Sequence, residues 1–181
     1  MALSRVRIVG GEWRRRFVSF HDAPGLRPTP DAVRETLFNW LGQDLTGLAC
    51  LDLFAGSGVL GFEAASRGAA HVTLVERDPR TFATLQDNAA VFGTNRLELI
   101  RADALKFLPR ASRCYDLLFL DPPYHQGWIE RVELRLPGVL APDARIYAEA
   151  EHPIERIGAW ETARSGRSGQ VYYHLLEAKT A

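Results

Sequence analysis

Two short runs of the 181-residue chain carry residue types whose spacing suits chemistry. One is DLFAGSG at residues 52–58, and the other is DPPY at residues 121–124. Each run adjoins an apolar stretch of the kind that is typical of a strand buried on both faces. Because open α/β sheets bind ligands at the carboxyl ends of their strands, we expect both runs to lie at that edge of a sheet.

The DPPY run can hold a planar amino group. Its two prolines lack backbone N–H donors and keep the chain extended, which leaves the Asp121 carboxylate and the Pro122 carbonyl oxygen as a rigid pair of acceptors. An exocyclic amino group of a nucleobase offers two N–H donors to such a pair, and the Tyr124 ring can stack on a flipped-out base. Accepting both hydrogens favours a pyramidal nitrogen whose lone pair points at a methyl group held in line. We therefore predict that the catalytic residues of an amino-methyltransferase are Asp121, Pro122, Pro123 and Tyr124.

The DLFAGSG run is predicted to bind the cofactor. Its two glycines let the backbone turn sharply and approach a ligand closely. Asp52 suits the cationic methionine end of S-adenosylmethionine, Glu76 can accept hydrogen bonds from two ribose hydroxyls, and Asp103 can contact the adenine amino group. The cofactor-binding residues predicted in this part of the chain are Asp52, Phe54, Ala55, Gly56, Ser57, Gly58, Glu76, Arg77, Asp103 and Ala104.

Other classes of protein use similar glycine runs. The GK[ST] ending of a phosphate loop is absent, but Gly56, Gly58 and Gly61 fit the GxGxxG spacing of dinucleotide-binding proteins. A nucleotide-dependent oxidoreductase therefore stays an alternative, although it would leave the DPPY run unexplained. A non-catalytic RNA-binding protein of the same fold is a second alternative, against which the intact pair of runs argues. Ser57 lacks the context of a nucleophile elbow, so a hydrolase is not expected.

The elements that must position these runs alternate between strands and helices. Apolar runs predict strands at 48–54, 71–76, 97–100, 115–121 and 144–150, and a last strand at 170–178. Helical segments are expected at 58–67, 79–92, 104–108 and 127–137. This alternation predicts a doubly wound, mostly parallel α/β sheet with right-handed crossovers. The segment RSGRSG at 164–169 is predicted to be an exposed loop or a hairpin turn.

Residues 1–24 are predicted to form a basic β-hairpin extension, ahead of one methyltransferase domain at 25–181. Short strands are expected at 5–9 and 17–20, with Gly10, Gly11 and a charged segment between them. A helix should begin with Asp31 as its N-cap and end before Gly42. Residues 1–34 carry seven arginines against three acidic residues on a chain of zero formal net charge. This bias indicates either a local contact with a polyanion or a solvated arm.

Four stretches of the sequence resemble the bacterial 16S rRNA (guanine 2-amino) methyltransferase D family, which belongs to the class I S-adenosylmethionine-dependent methyltransferases. The most specific of them contains the RPT segment and the VRETLFN run that follows it. The terminal GQVYYHLL (169–176) also fits the last strand of the family. The four stretches are RVRIVGGEWRRR (5–16), LRPTPDAVRETLFNWL (26–41), DLFAGSGVLGFEAASRG (52–68) and DPPY (121–124).

The resemblance implies a Rossmann-like sheet of seven strands and methylation of the 2-amino group of one guanine in 16S rRNA. S-adenosylmethionine would be the cofactor, and an assembled or partly assembled small ribosomal subunit would be the substrate. It also implies that Thr29 and Arg34 lie beside the cofactor. The arginines that would contact RNA phosphates are Arg5, Arg7, Arg14, Arg15, Arg16 and Arg27.

Other targets of the same chemistry stay open, namely adenine or cytosine of DNA or of another RNA, and a protein glutamine. A length of 181 residues leaves no room for the target-recognition domain that DNA enzymes of this class usually carry, and the glutamine enzymes use Asn where Asp121 stands. Trp13 could stack on a nucleotide or pack under the hairpin, and His125 could line the mouth of the substrate site.

Composition limits the remaining classes. No apolar run approaches the roughly 20 residues of a membrane-spanning helix, and the N-terminus has no secretory signal, so we expect a cytoplasmic protein. The five histidines are scattered without the spacing of metal ligands, and no metal is predicted. The chain shows no apolar stripe that indicates a dimer, so we expect a monomer.

Overall fold

The computed structural model describes residues 2–180, which form a two-stranded and an eight-stranded sheet with helices against the larger one. The strands are β1 (Leu3–Arg7), β2 (Phe17–His21), β3 (Ala49–Asp52), β4 (His71–Glu76), β5 (Leu97–Arg101), β6 (Tyr115–Leu120), β7 (Leu140–Ala150), β8 (Arg156–Ile157), β9 (Trp160–Ser168) and β10 (Val171–Ala178). The helices are α1 (Asp31–Leu41), α2 (Val59–Ser66), α3 (Pro79–Phe92), α4 (Ala104–Phe107) and α5 (Trp128–Glu133), with short 3₁₀ turns at Leu108–Arg110 and Leu136–Gly138.

The large sheet has the strand order β5-β4-β3-β6-β7-β10-β9-β8. Its first five strands are parallel, and the last three join antiparallel. The chain order reverses between β3 and β6, which is where open sheets of this kind hold their ligands. The predicted fold class is therefore confirmed. The sheet has eight strands rather than seven, because the two-residue β8 pairs with the start of β9.

Helices cover both faces of the sheet and create two apolar cores. On one face, Phe38 of α1 and Phe62 of α2 pack against Phe119 of β6. On the other face, Phe107 of α4 and Trp128 of α5 join the second core. Strands buried on both sides read as continuous apolar runs, which is why the sequence revealed them. No helix within residues 2–180 is long and apolar enough to cross a membrane.

Strand β9 corrects one expectation from the sequence. The segment 164–169 was expected to be a loop or a hairpin turn, but residues up to Ser168 continue β9, and the turn to β10 begins only at Gly169. Beyond its pairing with β8, this strand hydrogen-bonds to β10 alone. Most side chains from residue 161 to 168 are exposed. An edge strand with so few buried positions shows no apolar alternation, so its sequence resembles that of a loop.

Two helix ends also differ from the expectations. The N-cap of α1 is Pro30 rather than Asp31, which is the first helical residue. The Asp31 carboxylate accepts hydrogen bonds from the guanidinium groups of Arg7 and Arg34, so ion pairing replaces capping. Helix α5 ends at Glu133, and a 3₁₀ turn that contains Pro137 follows. Proline cannot donate to a continuing α-helix, which explains the earlier end.

The tip of the N-terminal hairpin packs at the far ends of α2 and α3. The N–H of Trp13 donates to Ser66 Oγ at 2.9 Å, in the last turn of α2. The Trp13 ring is 4% exposed and lies 4.4 Å from the Phe92 ring at the end of α3. Trp13 therefore packs under the hairpin. Because α2 and α3 run back from the carboxyl ends of the strands, the tip lies at the opposite edge of the sheet.

A buried ion cluster joins the hairpin, α1 and α2. Arg34 Nη1 donates to Glu63 Oε1 at 2.6 Å, and both side chains are fully buried. The other oxygen of Glu63 accepts from Arg67 Nε at 3.3 Å, and Glu63 Oε1 also accepts the N–H of Val9 at 2.6 Å. Arg34 further donates to the backbone oxygens of Arg7 and of Thr29, at 2.6 and 2.9 Å. The cluster thus holds three segments of chain in one arrangement.

We predict that Arg34→Met lowers the free energy of unfolding by about 3–5 kcal/mol, because the fully buried Glu63 would lose one of its two guanidinium partners. Arg7→Ala is the matched control. Arg7 pairs with Asp31 at the surface, where its side chain is 54% exposed, and its removal should change the free energy by less than about 1 kcal/mol. Urea unfolding followed by circular dichroism measures both values. Equal decreases in the two variants would contradict the role given to the cluster.

Candidate functional site

A cavity of about 1130 Å³ opens at the carboxyl edge of the parallel strands. Segments from the ends of β3, β4, β5 and β6 line one side of it. The stretch that leads into α1 and the turn between β9 and β10 line the other side. Both sequence runs therefore border the same space. Its volume slightly exceeds the range of about 300–1,000 Å³ that is usual for pockets of single small ligands.

The glycine run is shaped by its own hydrogen bonds. Gly56 and Gly58 have φ angles of 54° and 81°, which favour glycine. The N–H of Gly56 donates to Glu76 Oε2 at 3.0 Å. A Cβ atom at position 58 would meet the Leu85 and Phe62 side chains at 2.5 and 2.8 Å. A residue with a Cβ atom would be strained at either position, so the two glycines allow the loop to keep this conformation beside the cavity.

Three carboxyl groups stand at the ends of neighbouring strands: Asp52 ends β3, Glu76 ends β4, and Asp103 follows β5. Asp52 is 3% exposed, and its Oδ2 accepts the N–H of Gly61 at 3.1 Å. Burial raises the pKa of Asp52 to about 7, the negative Glu76 adds to the rise, and the Gly61 hydrogen bond opposes it. Glu76 also accepts the N–H of Asp78 at 2.9 Å. Asp103 caps α4 by accepting the N–H of Leu105 through Oδ1.

These carboxyl groups keep acceptor capacity for a ligand. Each oxygen of Glu76 accepts one backbone N–H, which leaves a further lone pair on each oxygen for a hydroxyl group. The Oδ2 of Asp103 does not take part in the cap. An aromatic wall completes this half of the cavity, where the Phe54 and Trp128 rings meet edge to face at 5.2 Å. The Arg77 guanidinium lies 6.0 Å from the centre of the Trp128 ring.

The DPPY run follows β6 and lines the cavity with all four of its residues. Asp121 is partly exposed, Pro122 is buried, and Tyr124 is 39% exposed at the mouth. Burial raises the pKa of Asp121 well above its ordinary value, and the carboxyl groups of Glu149 and Asp52 add to the rise. Burial likewise raises the pKa of Tyr124. A carboxyl group in such surroundings has a stabilised protonated form.

Glu149 on β7 is a cavity residue that the sequence reasoning missed. It is 6% exposed, and its Oε1 accepts the hydroxyl of Thr29 at 2.6 Å and that of Tyr147 at 2.8 Å. Leu120 of β6 pairs with Ala148 of β7, so Glu149 is the neighbour of Asp121 across the two strands. The one available signal was an acidic residue inside the apolar run 144–150. Such a residue is rarely buried unless it is paired, so it indicates a function.

Most of the predicted site residues line the cavity. Within residues 2–180, no group of three or more His, Cys, Asp or Glu side chains could hold a metal ion. The residues that line the cavity are Thr29, Asp52, Phe54, Ala55, Gly56, Ser57, Glu76, Arg77, Asp103, Ala104, Asp121, Pro122, Pro123, Tyr124 and Arg27. Gly58 lies just behind this surface, at the start of α2.

Arg34 is not at the cavity surface, which corrects the expectation that it contacts the cofactor. Its guanidinium is fully buried and is occupied by Glu63, Asp31 and two backbone oxygens. One of these oxygens belongs to Thr29, which does line the cavity. Arg34 therefore positions the segment before α1, and no N–H of its guanidinium faces the ligand space.

The predicted RNA-contacting arginines fall into three places. Arg5 and Arg7 lie on β1, away from the cavity lining. Arg27 borders the cavity, whereas Arg14, Arg15 and Arg16 lie at the hairpin tip, beside the end of α3. The 14 residues of α3 separate the tip from the cavity edge by about 20 Å. Arg16 donates to the backbone oxygen of Val91 and lies 4.3 Å from the Phe92 ring centre, so this guanidinium also has a packing role.

The position of His125 is beside the cavity rather than in it. Its backbone has a φ of 61°, and its N–H donates to Glu151 Oε1 at 3.0 Å. Its neighbours Tyr124 and Gln126 line the cavity, and His125 does not. His125 therefore lies at the rim of the cavity, next to residues that line it.

Comparisons with known proteins agree with this architecture. The family model described as "Conserved hypothetical protein 95" matches residues 6–177. The "Ribosomal RNA small subunit methyltransferase D" of Escherichia coli (strain K12) is 41% identical over 178 residues, which cover 96% of this chain and 90% of that protein. The solved structure of yhhF from Escherichia coli has a TM-score of 0.86 and 39% identity, with coverage of 98% of this chain and 100% of that one.

A more distant solved structure shares the fold alone. It is an RNA methyltransferase from Salinibacter ruber in complex with S-adenosyl-L-homocysteine. Its TM-score is 0.67 at 19% identity, and the match covers 84% of this chain and 94% of that one.

We predict that the stability of the ligand-free protein falls as Asp52 ionises. The pKa of Asp52 is raised from 3.8 to about 7 in the folded chain. Its contribution is therefore fully present below pH 3.8 and is lost as the pH rises to 7, by about 4 kcal/mol. Asp52→Asn keeps an acceptor for the Gly61 N–H and removes this titration. Urea unfolding of both proteins between pH 4 and 8 should give a steeper decline for the wild type, and parallel curves would disprove the assignment.

Proposed function

Because the chain belongs to the ribosomal RNA small subunit methyltransferase D family, we propose that it methylates the 2-amino group of one guanine in 16S rRNA. It is an S-adenosylmethionine-dependent methyltransferase of rRNA, and the choice of the guanine amino group is the finer part of the proposal. The substrate that we propose is the rRNA within an assembled or partly assembled small ribosomal subunit.

One observation supports guanine over other bases: Asp121 and Glu149 are neighbours across β6 and β7, and both line the cavity. The Watson–Crick edge of guanine presents its ring N1–H directly beside the 2-amino group, so two neighbouring donors meet two neighbouring acceptors. In adenine and cytosine the ring nitrogen next to the amino group is itself an acceptor. It would face the acidic pair without a hydrogen and would leave one acceptor of the pair unsatisfied.

The residues at the glycine run fit the methyl donor. When bound, S-adenosylmethionine supplies an electrophilic methyl group on a cationic sulfur. We propose that Asp52 faces its positive methionine end, that Glu76 accepts from the ribose hydroxyls and that Asp103 accepts from the adenine amino group. A positive ligand beside Asp52 favours the ionised carboxylate and so offsets the effect of burial. The Thr29 segment closes the site from the side of α1.

The DPPY run would orient the amino group for attack. The Asp121 carboxyl group and the Pro122 carbonyl oxygen each accept one amino hydrogen, so that the nitrogen lone pair points at the methyl group. Pro123 keeps this backbone extended. The exposed ring of Tyr124 at the cavity mouth offers a stacking surface for the flipped-out base. Orientation of this kind is the main contribution that the protein makes to the rate.

RNA contacts would extend from the cavity rim to the hairpin. Arg27 at the cavity and the exposed Arg5, Arg14 and Arg15 are proposed to contact phosphates, and Arg7 and Arg16 would add to the basic surface beside them. Strand β9 carries two more exposed arginines, Arg164 and Arg167, next to the turn that lines the cavity. A small ribosomal subunit is large enough to reach both ends of the domain.

We predict that labelled S-adenosylmethionine and small subunits that lack the modification will yield label on a single guanine of 16S rRNA. Mass analysis of the digested rRNA locates the methyl group. Asp121→Ala should abolish transfer while the affinity for S-adenosylhomocysteine stays within a few fold, because the residue contacts the base and not the cofactor. Label on adenine, cytosine, DNA or protein would overturn the proposed target, and failure of the variant to bind the cofactor would overturn the role of Asp121.

A separate prediction concerns the hairpin tip. Replacing Arg14 and Arg15 by Ala should weaken rRNA binding and reduce the slope of log affinity against log salt by about one unit for each phosphate that these arginines neutralise. Arg164→Ala with Arg167→Ala is the matched pair near the cavity. Filter binding at several salt concentrations measures both slopes. An unchanged slope in the hairpin variant would exclude Arg14 and Arg15 as phosphate contacts. Arg164 and Arg167 of β9 would then be the remaining candidates.

A further inference from the structure

The proposed methylation requires the amino nitrogen to lose a proton, and the carboxyl groups of Asp121 and Glu149 line the cavity where the base would bind. We propose that Asp121 and Glu149 act as one carboxyl pair that carries a single negative charge, with Asp121 accepting the proton that the amino nitrogen must lose and Glu149 holding the charge. This inference rests on the proposed methyl transfer to an amino group. In this proton transfer Glu149 acts through Asp121.

The contacts of Glu149 make it the place where a negative charge is stabilised. Its Oε1 accepts two hydroxyl groups, from Thr29 at 2.6 Å and from Tyr147 at 2.8 Å. All three side chains are nearly inaccessible, with exposed fractions of 6% for Glu149, 4% for Thr29 and 0% for Tyr147. Hydrogen bonds that are shielded from water strongly favour the ionised form of the acceptor.

The pair can hold only one charge. Leu120 of β6 pairs with Ala148 of β7 in parallel register, so the next residues, Asp121 and Glu149, are neighbours across the two strands. Two adjacent carboxylates repel each other unless they share a proton. Burial and the neighbouring Glu149 raise the pKa of Asp121 well above its ordinary value. Burial also raises the pKa of Glu149, but its hydrogen bonds to Thr29, Tyr147 and Asp121 oppose that rise. The proton therefore resides on Asp121 and the charge on Glu149.

The other titratable groups that face the pair also oppose a second ionisation. Asp52 on β3 adds to the rise in the pKa of Asp121. Tyr124 after β6 and Tyr147 on β7 have raised pKa values, chiefly through burial and then through the negative charges of this pair. Tyr173 on β10 lines the same cavity and acts on Tyr147, and Glu151 after β7 acts on Tyr124. All of these groups are acids.

The proton then follows a balanced path. Formation of the nitrogen–carbon bond leaves a positive charge on the amino nitrogen. The nitrogen gives one proton to the free oxygen of Asp121, and Asp121 passes its own proton to Glu149. The positive charge on nitrogen and the negative charge on the pair cancel, which leaves a neutral methylamino group and two protonated carboxyl groups. The partly exposed Asp121 returns one proton to solvent before the next reaction.

A purely structural role makes a different prediction. If Glu149 only anchored the Thr29 segment, its replacement would lower the rate equally at every pH. If the two carboxyl groups act as a pair, removal of Glu149, or of either hydroxyl donor, raises the pH below which the rate falls. Glu149→Gln is the sharpest variant, because its amide oxygen can still accept from Thr29 and Tyr147 while its charge is gone.

The experiment is the pH profile of single-turnover methylation of small subunits by Glu149→Gln, Thr29→Val and Tyr147→Phe. We expect the acidic limb to move upward by about one pH unit in each. Tyr115→Phe is the matched control, since it removes a buried tyrosine hydroxyl that donates to Thr73 at 2.8 Å, outside the cavity. The acidic limb of the Tyr115→Phe profile should stay where it is in the wild type. If Glu149→Gln is inactive at every pH, the shift of the acidic limb is measured in the Thr29 and Tyr147 variants. An acidic limb that stays in place in both of them overturns the proposed carboxyl pair.

An infrared titration of the cofactor-free protein provides a readout that is independent of activity. Asp52 also has a raised pKa, so the titration uses the Asp52→Asn background. We expect the absorption of a protonated carboxyl group to persist at neutral pH and to vanish on Asp121→Asn. Its absence from the background protein would overturn the pair even if rRNA is methylated. Its presence in a protein that methylates no rRNA would refute the proposed function and leave the pair intact.

Discussion

The burial of the Glu63 carboxylate is the constraint on which the arrangement of the site depends. A fully buried carboxylate needs compensating partners, and here it takes Arg34 and Arg67 together with the backbone N–H of Val9. Arg34 belongs to α1, so its ion pair with Glu63 of α2 requires the two helices to lie side by side. The Nε of the same guanidinium then holds the backbone oxygen of Thr29. An ion cluster away from the ligand space thus fixes the Thr29 hydroxyl over Glu149.

The protein contains two kinds of buried carboxyl site, and the difference between them assigns their roles. Glu63 meets two guanidinium groups, so its charge is neutralised by cations and its surroundings are rigid. Glu149 meets two hydroxyl groups and a second carboxyl group. A site without a cation compensates its charge by holding a proton, and a held proton can move during a reaction. Glu63, which has two cationic partners, thus stabilises the fold, whereas Glu149, which has none, is suited to proton transfer.

The sequence predicted what local pattern determines. Continuous apolar runs gave the parallel strands, and the residue types of 52–58 and 121–124 marked the carboxyl edge of the sheet. Features that depend on contacts between residues far apart in the sequence were predicted wrongly or were missed. Arg34 and Glu63 are 29 residues apart, and Thr29 and Glu149 are 120 residues apart. No local pattern tells whether a cation will face a ligand or a buried carboxylate. Strand β9 was missed because an edge strand buries too little to show alternation.

The polarity of the sheet also constrains the substrate. Helices α2 and α3 carry the chain from the cavity edge to the opposite edge, and the hairpin tip is fixed there by Ser66 and Phe92. A ligand that touches both the cavity and the tip must extend about 20 Å along α3, which is the length of 14 helical residues. A single nucleotide cannot do so, whereas a folded RNA can. If the tip arginines contact phosphates, the substrate is therefore recognised by its extended shape, and the cavity selects only the base that reaches it.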